Sequence, residues 1–327
     1  MPITAPIESL AQQVQQLHQQ ILGGVRQVVV GLDNVVEELL IALVVGGHVL
    51  LEGVPGTAKT TLCKTFAQLA GIDFHRIQFT PDLLPADVTG TYVFDRRTND
   101  FTLRKGPIFC EVLLADELNR APAKTQSALL EAMQEHQVTI EGTTLPLPRP
   151  FMVLATQNPV EQEGVYRLPE AQLDRFLLRV QVSYPDRDAE LLMLDIHSRP
   201  TATVDAVTSG EQLLAIQRQL NQVYASPEIR AYIVDLARHS REHPELILGA
   251  SPRAVINVLK AAAGRAILYG RSYVTHDDVQ KVLPSVLGHR LILRPEAEIE
   301  GRQIEQILQE IVGQVPVMSP STGHPRG

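Results

Sequence analysis

The sequence has no tryptophan and only two cysteines, Cys63 and Cys110, among its 327 residues. Two cysteines do not make a disulfide framework in a chain of this length, so a reducing compartment, the cytoplasm, is expected. We expect both to be small core residues. The absence of tryptophan argues against a fold that stacks aromatic side chains on nucleic acid bases.

Long apolar runs and an excess of positive charge are also missing. The longest apolar run, residues 39–47, is followed by His48 and falls short of the roughly 18 residues that a membrane span needs. Residues 1–10 have no positive charge followed by an apolar run, so no secretory signal is expected. Because the formal net charge is −8, a basic footprint for nucleic acid is absent, although a local basic patch in an oligomer pore stays open.

What is present suits a globular chain of two domains, with 44% hydrophobic and 20% charged residues. Strand patterns alternate with helical patterns at 60–70 and 123–134, which predicts an α/β fold with a parallel sheet covered on both faces. The predicted strands are residues 48–52, 73–79, 110–115, 151–156 and 177–182. Ahead of them we predict a helix closed by Gly23 and Gly24, and another over 33–45 with Asp33 as its cap.

Beyond residue 186 the apolar pattern is almost entirely helical. The predicted helices are 188–198, 210–224, 227–242, 252–268, 276–287 and 297–312. The last stretch is rich in proline, serine and glycine. The predicted domains are therefore an α/β core at 1–186, an all-helical domain at 187–312 and a disordered tail at 313–327.

A glycine-rich turn joins the first predicted strand to the helix at 60–70. It reads Gly53, Val54, Pro55, Gly56, Thr57, Ala58, Lys59, Thr60, and Thr61 follows it. Such a turn directs backbone N–H groups at phosphates, while Lys59 faces the β- and γ-phosphates and the Thr60 hydroxyl binds Mg²⁺. Glycine is usual where Ala58 stands, and we expect Ala58 to adopt right-handed helical angles. The alternative is a glycine-rich turn with a chance lysine.

Two polar strand ends complement this turn. Residues 112–115 are apolar and lead into Asp116 and Glu117. Asp116 would hold Mg²⁺ and Glu117 would act as general base on the attacking water, although an ordinary strand with a charged end has the same pattern. Asn158 follows another apolar strand and could also reach that water, although Asn-Pro is a common turn as well.

Together these segments resemble the MoxR family of AAA+ ATPases, from about residue 10 to 312. The resemblance is carried by GVPGTAKT (53–60), FTPDLLPADVTG (79–90), LADELNRAP (114–122), ATQNP (155–159), LPEAQLDRF (168–176) and GASPRA (249–254). It implies a P-loop core with an insert in the second helix, residues 80–107, and a hairpin before sensor 1, residues 136–150. A helical lid domain follows this core.

The resemblance also implies residue roles. Asn158 matches sensor 1, Arg175 an arginine finger supplied to the neighbouring subunit, and Arg253 sensor 2 of the lid. Val30 and Gly31 resemble the segment that contacts adenine. Arg175 and Arg253 could instead form only local ion pairs, and whether Arg253 acts on its own subunit's nucleotide stays open. Arg120 could contact a neighbouring subunit or be structural.

The function implied is that of an ATP- and Mg²⁺-dependent ring ATPase, expected to be a hexamer. Its expected role is chaperone-like: remodelling or maturing client protein complexes, or inserting a cofactor or metal, with a partner that contains a von Willebrand factor A (VWA) domain. The histidines lack metal-ligand spacing, so Mg²⁺ is the one metal implied. Alternatives are a nucleic-acid motor of the helicase and chelatase branch, disfavoured by the acidic charge, and a nucleotide-gated scaffold.

Overall fold

The structure is a computed structural model that describes residues 4–158, 166, 168–197 and 203–317. The chain divides into two compact units. Of the described residues, those between 16 and 218 form the sheet unit, whereas those before 16 and those from 219 to 317 form the helical unit. Within the described ranges, no helix combines the length and the apolar character needed to cross a membrane.

The described residues of the sheet unit form nine strands. They are β1 (Val49–Glu52), β2 (Phe74–Gln78), β3 (Gly90–Asp95), β4 (Asp100–Lys105), β5 (Val112–Asp116), β6 (Gln137–Ile140), β7 (Thr143–Pro146), β8 (Met152–Gln157) and β9 (Leu178–Gln181). The helices up to residue 219 are α1 (Thr4–Val25), α2 (Asp33–Val45), α3 (Lys59–Leu69), α4 (Pro85–Thr89), α5 (Ala123–Glu135), α6 (Glu170–Leu173), α7 (Arg187–His197) and α8 (Gly210–Gln219).

The five predicted core strands form one parallel sheet in the order β2-β5-β8-β1-β9. Their centres are fully buried at Leu50, Leu113 and Val153, as expected where both faces of a parallel sheet are covered. The register pairs Ala155 of β8 with Leu50 of β1 and with Ala115 of β5. The carboxyl ends of these three strands therefore meet at one edge, where α/β sheets bind ligands.

Two antiparallel hairpins lie where the inserts were predicted. β3 pairs with β4 inside the segment 80–107, and β6 pairs with β7 inside the segment 136–150. The α/β core with both additions is therefore confirmed, while the role of each hairpin stays a prediction.

The second unit is built from helices with one small antiparallel strand pair. Its elements are α9 (Pro227–Glu242), β10 (Leu246–Leu248), α10 (Pro252–Leu268), α11 (His276–Leu287), β11 (Ile292–Leu293), α12 (Pro295–Ile299) and α13 (Ile304–Gln314). The single helix predicted at 297–312 is wrong, because Gly301, at φ 76°, separates α12 from α13. The predicted tail starts inside α13, and residues 318–327 of that prediction lie outside the described residues.

Two details near the amino terminus also differ from expectation. α1 continues through Gly23 and Gly24 to Val25. A Cβ on Gly24 would lie 2.5 Å from the Leu69 side chain, so glycine at this position serves close packing rather than helix termination. Asp33 is the first residue of α2 rather than its cap, and its carboxylate binds Arg26 at 2.6 Å.

The sheet unit extends past the predicted boundary at residue 186 as far as Arg218. Hydrogen bonds connect this later segment to the core. Val207 donates its N–H to the Leu69 carbonyl at 2.8 Å, and Gln217 donates its side-chain amide to the Leu43 carbonyl at 2.7 Å.

Candidate functional site

The glycine-rich turn, residues 53–58, connects β1 to α3. A Cβ on Gly53 would lie 2.3 Å from the carbonyl oxygen of Val182, so the turn passes the end of β9 at a distance that only glycine permits. Gly56 has φ 83°, a conformation that glycine adopts without strain. α3 begins directly afterwards, and the positive end of its dipole favours an anion at this place.

Ala58 does not have the right-handed helical angles that we expected. Its φ of 56° and ψ of 20° are left-handed, and it precedes the first residue of α3. The turn requires this conformation immediately before the helix, which accounts for the usual glycine at this position. A side chain there costs about 1–2 kcal/mol of local strain.

The Lys59 ammonium group is bound to the turn. Its Nζ donates to the carbonyls of Gly53 at 2.9 Å and Val54 at 2.7 Å, and to the Thr57 hydroxyl at 3.2 Å. Burial lowers the pKa of Lys59, whereas the negative charges of Asp116 and Glu117 oppose that shift. The ammonium and the acidic pair therefore share one electrostatic environment.

The acidic pair is held by the neighbouring strands. Arg76 of β2 binds Asp116 at 2.6 Å. The Thr156 hydroxyl of β8 donates to the other Asp116 oxygen at 2.6 Å and accepts the backbone N–H of Glu117 at 2.8 Å. Glu117 has φ 56°, and its carboxylate pairs with Arg120 at 3.0 Å. Thr156 thus connects both acids to β8.

Thr156 and Arg76 are site residues that the sequence analysis missed. Thr156 is 2% exposed. A hydroxyl residue two positions before Asn158, at the end of a buried strand, was the one available signal, and it does not identify a partner. Arg76 gave no signal, because its partner lies 40 positions away along the chain.

These groups surround a cavity of about 460 Å³. Its lining residues are Gly53, Pro55, Gly56, Thr57, Ala58, Lys59, Thr60, Thr61, Asp116, Glu117, Thr156, Gln157, Asn158 and Met193. The Thr60 hydroxyl and the Asp116 carboxylate are the hard oxygen donors that Mg²⁺ prefers, and both line this cavity, so the donor set fits that metal.

A second cavity, of about 500 Å³, shares the turn with the first. It is lined largely by apolar side chains, which are Val28, Val29, Val30, Leu32, Pro185, Met193 and Leu194, with Tyr184, Glu190 and Thr61 beside them. Gly31 has φ 78°, and a Cβ there would lie 3.0 Å from both Pro185 and Ala189. The Val30–Gly31 segment is therefore packed against the beginning of α7.

Two arginines, Arg175 and Arg253, were predicted to act on the nucleotide. Arg175 donates from Nη1 to the Leu130 carbonyl at 2.7 Å and is not among the described residues that line either cavity. Arg253 lies in the first turn of α10, in the helical unit. Their assignments as arginine finger and sensor 2 stay predictions.

The helical unit contains a cluster that sequence spacing did not indicate. Side-chain ligand atoms of His243, Glu245 and Glu310 lie within 4.8 Å of one another. Arg302 already binds both carboxylates, Glu245 at 2.8 Å and Glu310 at 2.7 Å. Because this guanidinium compensates their charge, the cluster is explained as an ion-pair network.

Comparison with known proteins agrees with the fold. Residues 48–178 match the ATPase family associated with various cellular activities (AAA), and residues 238–311 match the AAA lid domain. A crystal structure of a candidate ATPase from Cytophaga hutchinsonii has a TM-score of 0.89 and 43% identity, and the match covers 95% of this chain and 98% of that one. The fold and site thus define an AAA+ ATPase.

Similarity to individual relatives narrows this class. YeaC of Bacillus subtilis, which is named as uncharacterized, is 48% identical over 295 residues, covering 90% of this chain and 92% of that protein. Chaperone MoxR1 of Mycobacterium tuberculosis is 41% identical over 331 residues, covering 97% and 87%. The chain belongs to the MoxR family of AAA+ ATPases.

Proposed function

We propose that this chain hydrolyses Mg²⁺-bound ATP and uses the energy to remodel a client protein or protein complex. The observation that carries the proposal is the single cavity lined by Lys59, Thr60, Asp116, Glu117 and Asn158. A cation, a hydroxyl, two carboxylates and an amide around one cavity are the groups that ATP hydrolysis requires.

Each group has a role in this proposal. Lys59 binds the β- and γ-phosphates, and Thr60 and Asp116 hold Mg²⁺, which neutralises charge on the phosphate oxygens. Asn158 orients the attacking water, and Glu117 accepts its proton. The ion pair of Glu117 with Arg120 is solvent-accessible, with side chains 31% and 40% exposed, so Glu117 can turn towards the water at small cost.

The apolar second cavity is assigned to the adenine ring. It adjoins the phosphate cavity through Gly56, Thr57, Ala58 and Thr61, so one nucleotide can span both. Val30 lines it, and Gly31 supports the same segment. Apolar walls suit a base, whereas the polar cavity suits the phosphates.

In this proposal the chain assembles into a ring, a hexamer, in which a neighbouring subunit adds positive charge to each nucleotide site. Arg175 would act on the nucleotide of the neighbouring subunit, since it is not among the described residues that line the cavities of its own subunit. Arg253 would act from the lid. The name of the relative Chaperone MoxR1 supports a chaperone-like role. A VWA-domain partner, insertion of a cofactor or metal, and a cytoplasmic location complete the proposal.

Paired variants test the hydrolytic part. Glu117→Gln keeps the side-chain shape but removes the base, so it should bind Mg-ATP and hydrolyse it at least about 100-fold more slowly. Lys59→Ala should lose tight binding of ATP. Glu131→Gln makes the same chemical change on the exposed face of α5 and serves as the control.

The measurements are nucleotide affinity and phosphate release, with thermal melting as a check on folding. Wild-type turnover in Glu117→Gln would remove Glu117 as the base. Unchanged ATP affinity in Lys59→Ala would place the nucleotide site elsewhere.

A further inference from the structure

The β3–β4 hairpin has an apolar face that continues beyond the core of the sheet unit. Its register pairs Tyr92 with Leu103 and Phe94 with Phe101, and because side chains alternate along a strand, both pairs share one face. Tyr92 and Leu103 pack against the buried core. Phe94 and Phe101 lie towards the hairpin turn and are 47% and 63% exposed.

The two exposed rings form an ordered pair. Their centroids are 5.4 Å apart and the rings are inclined at 63°, an edge-to-face contact. Such a pair presents a preformed apolar surface at low cost in side-chain entropy, and aromatic residues are enriched in protein interfaces for this reason. In the described part of the chain, β3 and β4 form a sheet of two strands, so an extended segment could also pair with the outer edge of β4.

The charge around this pair is positive, in contrast with the net charge of −8 of the whole chain. The hairpin carries four exposed cationic side chains, Arg96, Arg97, Arg104 and Lys105, against two carboxylates. Both carboxylates accept backbone N–H groups of the hairpin itself, Asp95 from Arg97 at 2.9 Å and Asp100 from Phe101 at 2.7 Å. Asp95 also pairs with the Arg97 guanidinium at 3.5 Å. The Arg97 side chain is still 91% exposed, and Arg96 is exposed as well, so the cations at the turn are accessible to a partner.

We propose that this hairpin docks an extended, acidic polypeptide segment with apolar side chains, presented by a client of the proposed ATPase. The apolar side chains would cover Phe94 and Phe101, and the acidic groups would pair with Arg96 and Arg97. Only the description of the partner as a client rests on the proposed function, because the docking itself needs no ATP hydrolysis.

Single-stranded nucleic acid fits this surface less well. Asp95 and Asp100 directly follow and precede the two phenylalanines in the chain, and the register places them opposite each other. Because side chains alternate along each strand, these carboxylates lie on the face opposite the rings, where they oppose the phosphates of a nucleic-acid strand that wraps around the hairpin. In a polypeptide, acidic and apolar side chains can be spaced to avoid this repulsion.

The test is binding of fluorescent peptides to the full chain, measured by anisotropy without ATP. The probe is an unstructured peptide of alternating glutamate and leucine. Its matched forms carry lysine for glutamate or serine for leucine. The variants are F94S/F101S and R96E/R97E, with Ile299→Ser as the control because Ile299 is 86% exposed in the helical unit.

We expect the glutamate–leucine peptide to bind the wild type and Ile299→Ser equally, and each double variant at least about tenfold more weakly. The lysine and serine peptides should bind weakly to all of them. Basal ATP hydrolysis should be the same in the four proteins, because the hairpin does not line the nucleotide cavities. A failure of ATP hydrolysis in every protein, with peptide binding intact, would overturn the proposed function and leave the docking surface standing.

Three results would overturn the docking proposal. One is equal peptide binding by wild type and both double variants. Another is binding of an oligothymidylate that the same variants abolish, which would make the hairpin a nucleic-acid surface. The third is a change of oligomeric state in F94S/F101S by sedimentation, which would show that a second copy of the chain covers the rings.

Discussion

Thr156→Val should slow hydrolysis without weakening ATP binding. Valine keeps the branched shape and removes both hydrogen bonds, the one to the Asp116 carboxylate at 2.6 Å and the one from the Glu117 N–H at 2.8 Å. A hydrogen bond to a charged group contributes about 1.5–3 kcal/mol, and a buried N–H left without a partner costs about 1–3 kcal/mol. Asp116 retains its ion pair with Arg76.

Part of this free energy lowers the stability of the fold. The rest is lost from the transition state, because the two acids are no longer held in position. If about 2 kcal/mol appears in the transition state, kcat falls about 30-fold. The affinity for ATP should stay within about threefold, because the bonds that hold Lys59 to the turn do not involve Thr156. Thr156→Ser restores the hydroxyl and should recover most of the rate.

The assay is phosphate release at saturating Mg-ATP, together with nucleotide affinity and the melting temperature for both variants. Rescue by serine separates positioning of the acids from core packing, since serine lacks the methyl group that valine keeps. A kcat within about twofold of wild type in Thr156→Val would refute the reasoning. Equal slowing in the serine and valine variants would assign the effect to packing instead.

Three further predictions concern other parts of the sheet unit. Arg175→Ala should bind ATP without hydrolysing it. Mixing it with Lys59→Ala should restore some activity at interfaces where an intact arginine meets an intact nucleotide site. If rings shown to be mixed recover no activity, Arg175 does not act between subunits. Burial lowers the pKa of His48 from 6.5 to about 4. Its neutral form therefore contributes stability that is complete above pH 6.5 and is lost as the pH falls towards 4. The free energy of unfolding lost in this way is about 3 kcal/mol. Acid should therefore lower the melting temperature less in His48→Gln than in the wild type. Ala58→Gly should raise the melting temperature slightly, by the equivalent of about 0.5–1 kcal/mol, because relief of left-handed strain exceeds the added chain entropy; a lower value would contradict the strain.

The amino-acid sequence of single segments determined many of the helices, strands and turns of this protein. The strand, glycine-rich turn and helix around Lys59 follow one another directly in the chain, so their pattern was readable without a partner. The bounds of α9 and α10 were predicted correctly for a similar reason. Each begins with proline after a serine, Ser226 or Ser251, whose hydroxyl accepts an N–H of the first turn, at 3.3 Å and 3.1 Å.

The tertiary structure decided whatever depends on a neighbour distant in sequence. Thr156 meets the acidic pair because β8 lies beside β5 in register. Ala58 is left-handed because of the path that the turn takes from β1 into α3, and position 24 requires glycine because Leu69 packs against it. Sequence patterns report the preference of a segment for its own conformation. Contacts made across the sheet depend on strand order and register, which no single segment encodes.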